Sequence, residues 1–116
     1  ALLLAGLVWA LPALSQDDMK VVPNAVFGAP QRSQATFVHD LHNEKAKLDD
    51  CGACHHGETD GKPDPSSPTP GQPCAECHPV QAAQGKTPLM RAYHRQCVGC
   101  HHDAGKGPLT CGECHS

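Results

Sequence analysis

Cys51-Gly52-Ala53-Cys54-His55, Cys74-Ala75-Glu76-Cys77-His78, Cys97-Val98-Gly99-Cys100-His101 and Cys111-Gly112-Glu113-Cys114-His115 are four copies of Cys-x-x-Cys-His in one chain of 116 residues. Chemistry dictates this spacing. Two thiols add across the two vinyl groups on one edge of a porphyrin, and the imidazole that follows reaches the iron from one face. Four copies predict four covalent c-type haems. All eight cysteines lie inside the motifs, so no thiol is left for a disulfide or a catalytic nucleophile. Two other readings compete. A small exported chain with an even cysteine count can be a disulfide framework, and Cys-x-x-Cys pairs with nearby histidines can hold zinc. Neither requires a histidine directly after the second cysteine, and here it follows in every copy.

The composition fits a chain that leans on its cofactors. Aromatic residues make up 3%, and 11 Pro and 11 Gly interrupt regular structure. A single domain of this size and make-up buries little apolar surface by itself. The macrocycles are therefore expected to supply the missing apolar volume, and the apoprotein is expected to be unfolded. The net charge of -3 gives no basic surface for nucleic acid.

Residues 1–14, Ala-Leu-Leu-Leu-Ala-Gly-Leu-Val-Trp-Ala-Leu-Pro-Ala-Leu, form an apolar run followed by Ser15-Gln16-Asp17-Asp18. The run resembles the apolar core of a secretory signal with a small-residue cleavage site at Ala13-Leu14-Ser15. It is shorter than the roughly 20 residues a membrane span needs. Residues 1–16 are read as a signal-peptide remnant or a retained apolar anchor, and residues 17–116 as one haem-bearing domain. Covalent haem is attached outside the bacterial inner membrane, so the chain is expected in the periplasm, free or held to the outer face of that membrane.

Past this segment, Met19 to Val22 and Ala35 to Val38 are short β-prone runs separated by Pro23, Gly28 and Pro30, which predicts a small antiparallel pair. A helix is expected from His39 to Leu48. The stretch from Gly61 to Pro73 holds five prolines and is expected as an exposed, extended loop. Thr87 as N-cap and Pro88 as first helical residue predict a helix to about Cys100. The fold class is thus a small multihaem cytochrome, mostly irregular, with a few short α-helices and a two-stranded antiparallel pair around a compact four-haem cluster.

Nine histidines are present, and five lie outside the motif positions: His39, His42, His56, His94 and His102. Five candidates for four distal positions favour two imidazoles on every iron. Of the two methionines, only Met90 offers an alternative ligand. His39 and His42 at i, i+3 project from one helix face and should serve different haems. His56 follows His55 directly, with Cα atoms about 3.8 Å apart, so both rings cannot straddle one porphyrin. His94 and His101 share a helix face, which sends His94 to another haem as well.

At these residues the chain resembles the class III tetrahaem cytochromes, the cytochrome c3 family, over about residues 19–116. The specific pieces are Phe37-Val38-His39-Asp40-Leu41-His42, the doublet His55-His56, and the terminal Cys-x-x-Cys-His-Ser. The resemblance implies haem one on His55 with His39, haem two on His78 with His56, haem three on His101 with His42, and haem four on His115 with His94. It implies that Phe37 packs beside the haem cluster and leaves His102 as the spare. Many members have four residues between the cysteines of motifs two and four. Here both have two, which resembles the acidic type II branch. The function implied is low-potential electron transfer in the anaerobic respiration of sulfate reducers, between periplasmic hydrogenase or a type I cytochrome c3 and a membrane-bound redox complex. The rival readings are a multihaem reductase with one open iron and a haem subunit fixed in a membrane assembly through residues 1–16.

Overall fold

The computed structural model describes residues 19–116. The expectations for residues 1–16 fall outside that range. Three α-helices, α1 (His39–Ala46), α2 (Leu89–Ala104) and α3 (Cys111–Cys114), and one hairpin, β1 (Gly57–Thr59) and β2 (Lys62–Asp64), are linked by irregular chain and short 3-10 turns.

The β-prone runs before the first motif meet as expected, but only through an isolated antiparallel bridge, Val21 to Thr36. The Val22 N–H donates to the Ala35 carbonyl at 2.9 Å and the Phe37 N–H to the Lys20 carbonyl at 2.9 Å. The Thr36 N–H turns instead to the Cys114 carbonyl at 3.1 Å, which ties the start of the domain to its end.

The regular sheet lies elsewhere, and its second strand falls inside the stretch expected as loop. Gly57, Glu58 and Thr59 pair with Asp64, Pro63 and Lys62 in antiparallel register. The turn is Asp60-Gly61, with φ of 53° and 76°, the left-handed pair that a two-residue hairpin requires. In a two-stranded sheet both strands are edges, so Pro63 can face outward without breaking a ladder bond. Asp64 fixes the next turn by accepting from Ser66 Oγ at 2.5 Å, Ser66 N–H at 3.0 Å and Thr59 Oγ1 at 2.7 Å.

α1 ends at Ala46, two residues earlier than expected. Lys47 takes a left-handed φ of 54° and its N–H closes onto the Asn43 and Glu44 carbonyls. α2 is longer than expected. Pro88 is its N-cap, with ψ of 155°, and the helix continues through motif three until Gly105 turns left-handed at φ 62°. Thr87 therefore does not cap it.

Among the described residues Leu89 is the one buried hydrophobic side chain. Its complete burial stabilises the fold by about 2 kcal/mol. Long-range hydrogen bonds such as Gln96 Nε2 to the Ala53 carbonyl at 2.8 Å tie α2 to motif one.

Candidate haem-binding site

Motifs one and two open as 3-10 turns, Cys51–Ala53 and Cys74–Glu76, motif three ends within α2, and motif four forms α3. At motif one, Asp50 Oδ1 accepts from the Gly52 N–H at 2.8 Å. Gly52 is buried, and a Cβ there would meet the Pro65 carbonyl oxygen at 2.1 Å. No other residue lets the hairpin segment approach this closely. At motif four, Glu113 accepts from Thr110 Oγ1 at 2.7 Å, Thr110 N–H at 2.9 Å and Leu109 N–H at 3.1 Å. These bonds hold its carboxyl below the usual carboxylate range.

None of the eight cysteines is paired in a disulfide, which leaves every one available for haem attachment. Among the described residues no three or more His, Cys, Asp or Glu side chains converge as a metal cage. A structural zinc needs four such ligands at one point.

The histidines are arranged in cross-chain pairs. His39 lies with His55 at a ring-centroid distance of 6.3 Å, His42 with His101 at 6.0 Å, His56 with His78 at 6.1 Å, and His94 with His115 at 6.3 Å. Each pair joins one motif histidine to one histidine outside the motif positions. They are the pairs that the resemblance implies. Two imidazoles bound to opposite sides of one metal ion, each through a bond of about 2.0 Å, set their centroids about 6.2 Å apart. The spacing therefore fits an iron between the rings of every pair.

The second nitrogen of each ring is also accounted for. Nδ1 of His55 faces the Gln72 carbonyl at 3.3 Å, that of His56 the Gly57 carbonyl at 2.8 Å, and that of His78 the Thr87 carbonyl at 2.9 Å. Nδ1 of His94 faces the Met90 carbonyl at 2.7 Å, that of His101 the Pro108 carbonyl at 2.8 Å, and that of His115 the Ser33 carbonyl at 2.6 Å. Side chains serve the remaining two. Asp40 Oδ1 lies 2.8 Å from His39 Nδ1, and Asn43 Oδ1 lies 3.5 Å from His42 Nδ1. An oxygen acceptor at Nδ1 fixes the tautomer, orients the ring and leaves Nε2 as the ligating nitrogen.

These partners escape sequence reading because most are backbone carbonyls, which every residue carries. Gly107 is another contact of this kind. Its φ is 91°, and a Cβ there would lie 2.8 Å from His101 Cδ2. Phe37 sits 5.0 Å from the His42 ring and 5.9 Å from the His39 ring, centroid to centroid. His102 stands apart from the four pairs, with its side chain 79% exposed and its Nδ1 on Asp103 Oδ1 at 3.1 Å. Met90 is 61% exposed.

Comparison with known proteins shows the family. The model of the class III cytochrome c family matches residues 15–115. The chain is 36% identical over 92 residues to a cytochrome c3 of Desulfovibrio desulfuricans, covering 72% of this chain and 79% of that protein. It is 38% identical over 104 residues to the high-molecular-weight cytochrome c of Nitratidesulfovibrio vulgaris, covering 83% of this chain but 16% of that much longer protein. A cytochrome c7 of Geobacter metallireducens is 39% identical over 44 residues, covering 36% of this chain and 47% of that protein. With a family match over nearly the whole chain and a haem attachment motif at each of four positions, the chain carries four haem c and belongs to the class III cytochrome c family of electron-transfer haem proteins.

Proposed function

We propose that residues 17–116 form a low-potential electron carrier in which each iron is held by two imidazoles. The axial pairs are His55 with His39, His78 with His56, His101 with His42, and His115 with His94. The observation that carries this reading is the set of four imidazole pairs, each spaced 6.0–6.3 Å. The haems supply one-electron carriers; the protein supplies attachment, ligation and environment. Two Nε2 ligands on each iron would leave no position for substrate, which argues against a reductase with an open site. Imidazole in place of a thioether keeps the potentials low. Motif cysteines hold each macrocycle edge, while Phe37 packs between the distal rings of sites one and three.

The two-residue spacing in motifs two and four and the net charge of -3 support the acidic type II branch. The setting we propose is the periplasm of a sulfate-reducing bacterium. There the protein takes electrons from hydrogenase or from a type I cytochrome c3 and passes them to a membrane-bound redox complex. Residues 1–16 serve as an export-signal remnant or as an anchor to the outer face of the inner membrane. Among the described residues no helix is long and apolar enough to cross a membrane.

Spectroscopy of the oxidised holoprotein tests the ligation. Four low-spin haems without a Met-ligation band are expected. His39→Ala, His42→Ala, His56→Ala and His94→Ala should each yield one high-spin haem, and His102→Ala none. One high-spin iron in the parent protein, or in the His102 variant, would overturn the assignment.

A further inference from the structure

The eight paired histidines are not equivalent at Nδ1. Six face neutral backbone carbonyls. His42 faces the neutral Asn43 amide at 3.5 Å, the far limit of a hydrogen bond. His39 alone faces a carboxylate, Asp40 Oδ1, at 2.8 Å, with side-chain exposures of 23% for His39 and 44% for Asp40. The chain thus carries its own comparison. On α1 each distal histidine is followed directly by its Nδ1 partner, Asp40 after His39 and Asn43 after His42. The two positions differ in charge and in distance.

From this asymmetry we infer that Asp40 is a positioning residue that tunes the His39/His55 iron site, holding its potential below what two imidazoles alone would give. The inference rests on reading His39 as an axial ligand. With Nε2 on the iron, Nδ1 keeps its proton and donates it to the Asp40 carboxylate. A charge-assisted bond of this kind is shorter and roughly twice as strong as one to a neutral acceptor. It raises the basicity of the ligating nitrogen. A more basic imidazole stabilises the ferric ion, which carries one more positive charge than the ferrous ion, and so opposes reduction. One electron enters from the redox partner, no bond forms or breaks, and the Nδ1 proton remains on the ring in both states. Second-shell hydrogen bonding is an established lever on haem potential. Glu44 and Asp49, which line the same cleft as Asp40 together with Asn43, Lys47 and Leu48, place further negative charge on this side of the molecule.

The test is potentiometry and proton NMR on the intact holoprotein. Asp40→Asn keeps an acceptor oxygen but removes the charge. It should raise one of four midpoint potentials by about 59 mV, a tenfold change in a one-electron equilibrium, and move the His39 Nδ1–H resonance. Glu44→Gln removes one negative charge from the same helix without touching His39, and should shift that potential by less than half as much. If Asp40→Asn leaves all four potentials in place, or if Glu44→Gln matches it, the inference is overturned. His39→Met separates the inference from its premise. A new Met-ligation band in one haem upholds His39 as the ligand, whereas an unchanged spectrum removes the axial reading whatever Asp40 does.

Discussion

Gly107→Ala should damage one haem site without touching a ligand. Gly107 has a φ of 91°, and a Cβ there would lie 2.8 Å from Cδ2, 2.9 Å from Cγ and 3.0 Å from Nε2 of His101. Two penalties combine. A side chain in the left-handed region costs about 1–2 kcal/mol. Carbon contacts are comfortable at about 3.5 Å, so the ring must also retreat by about 0.7 Å. That retreat strains the bond between His101 Nδ1 and the Pro108 carbonyl at 2.8 Å and disturbs the ring's spacing of 6.0 Å from His42. The total is on the order of 2–4 kcal/mol, which lowers the melting temperature of the holoprotein by about 10 °C or more. Electron paramagnetic resonance of the oxidised protein should show one altered low-spin signal among four. Gly85→Ala is the control, since Gly85 has a φ of 81° but open space where its Cβ would sit. It should lose only the backbone share of the stability and keep all four signals. If Gly107→Ala melts with Gly85→Ala and its spectrum is unchanged, the ring contact is not what demands glycine at 107.

Gly52→Ala should destabilise motif one, because its Cβ would collide with backbone, the Pro65 carbonyl oxygen at 2.1 Å, rather than with a yielding side chain; a lower melting temperature and incomplete loading of haem one are the expected readouts. The Asp64 carboxyl is lowered by its bonds from Ser66 and Thr59, so its contribution is complete above the ordinary carboxylate value of about 3.9 and fades as pH falls through the lower folded-state value. Hydrogen exchange of the 57–64 hairpin should accelerate under acid in the parent protein, and Asp64→Asn should flatten that pH dependence. For the partner, residues 39–64 carry seven acidic against three basic side chains, whereas residues 76–116 carry three against four. With four oxidised irons of net +1 and eight ionised propionates, the formal charge of -3 becomes roughly -7. Electron transfer from a lysine-rich type I cytochrome c3 should slow steeply between low and physiological salt in stopped-flow traces, and a rate indifferent to salt would remove electrostatic docking.

What could be read from the sequence follows from which interactions are carried by residue identity. Haem attachment needs two thiols and an imidazole in one contiguous pentapeptide, so four sites are visible at once. That His39 and His42 belong to different sites, and His56 and His94 to sites other than those of their neighbours, follows from chain geometry alone. Which histidine meets which does not, because a ring that must leave its own haem still has three others to reach. The pairs seen at 6.0–6.3 Å join segments as far apart as residues 42 and 101. Family resemblance supplied that pairing, and the fold brings the same rings together. Local elements were less legible. Five prolines between Gly61 and Pro73 argued for loop, yet the left-handed Asp60-Gly61 dipeptide decides for a hairpin in which Pro63 lies on a harmless edge. Gly105, not the motif cysteines, ends α2, because a Cys-x-x-Cys-His segment is itself compatible with helix.

The same logic explains why the protein can be built on so little chain. Leu89 is the one hydrophobic side chain among the described residues that protein alone buries, so packing of protein on protein contributes little to where eight imidazoles point. Each ring has an oxygen acceptor at Nδ1 that helps to orient it. Six of those oxygens belong to backbone carbonyls, at Gln72, Gly57, Thr87, Met90, Pro108 and Ser33. Backbone acceptors do not titrate, and a side-chain substitution does not remove them. A substitution disturbs them only through the path of the chain, which is why glycines at 52 and 107 matter more than their size suggests. Where a side chain takes over the role, at Asp40 and Asn43, residue identity enters directly, and charge at that one atom becomes a means of setting one iron apart from its neighbours.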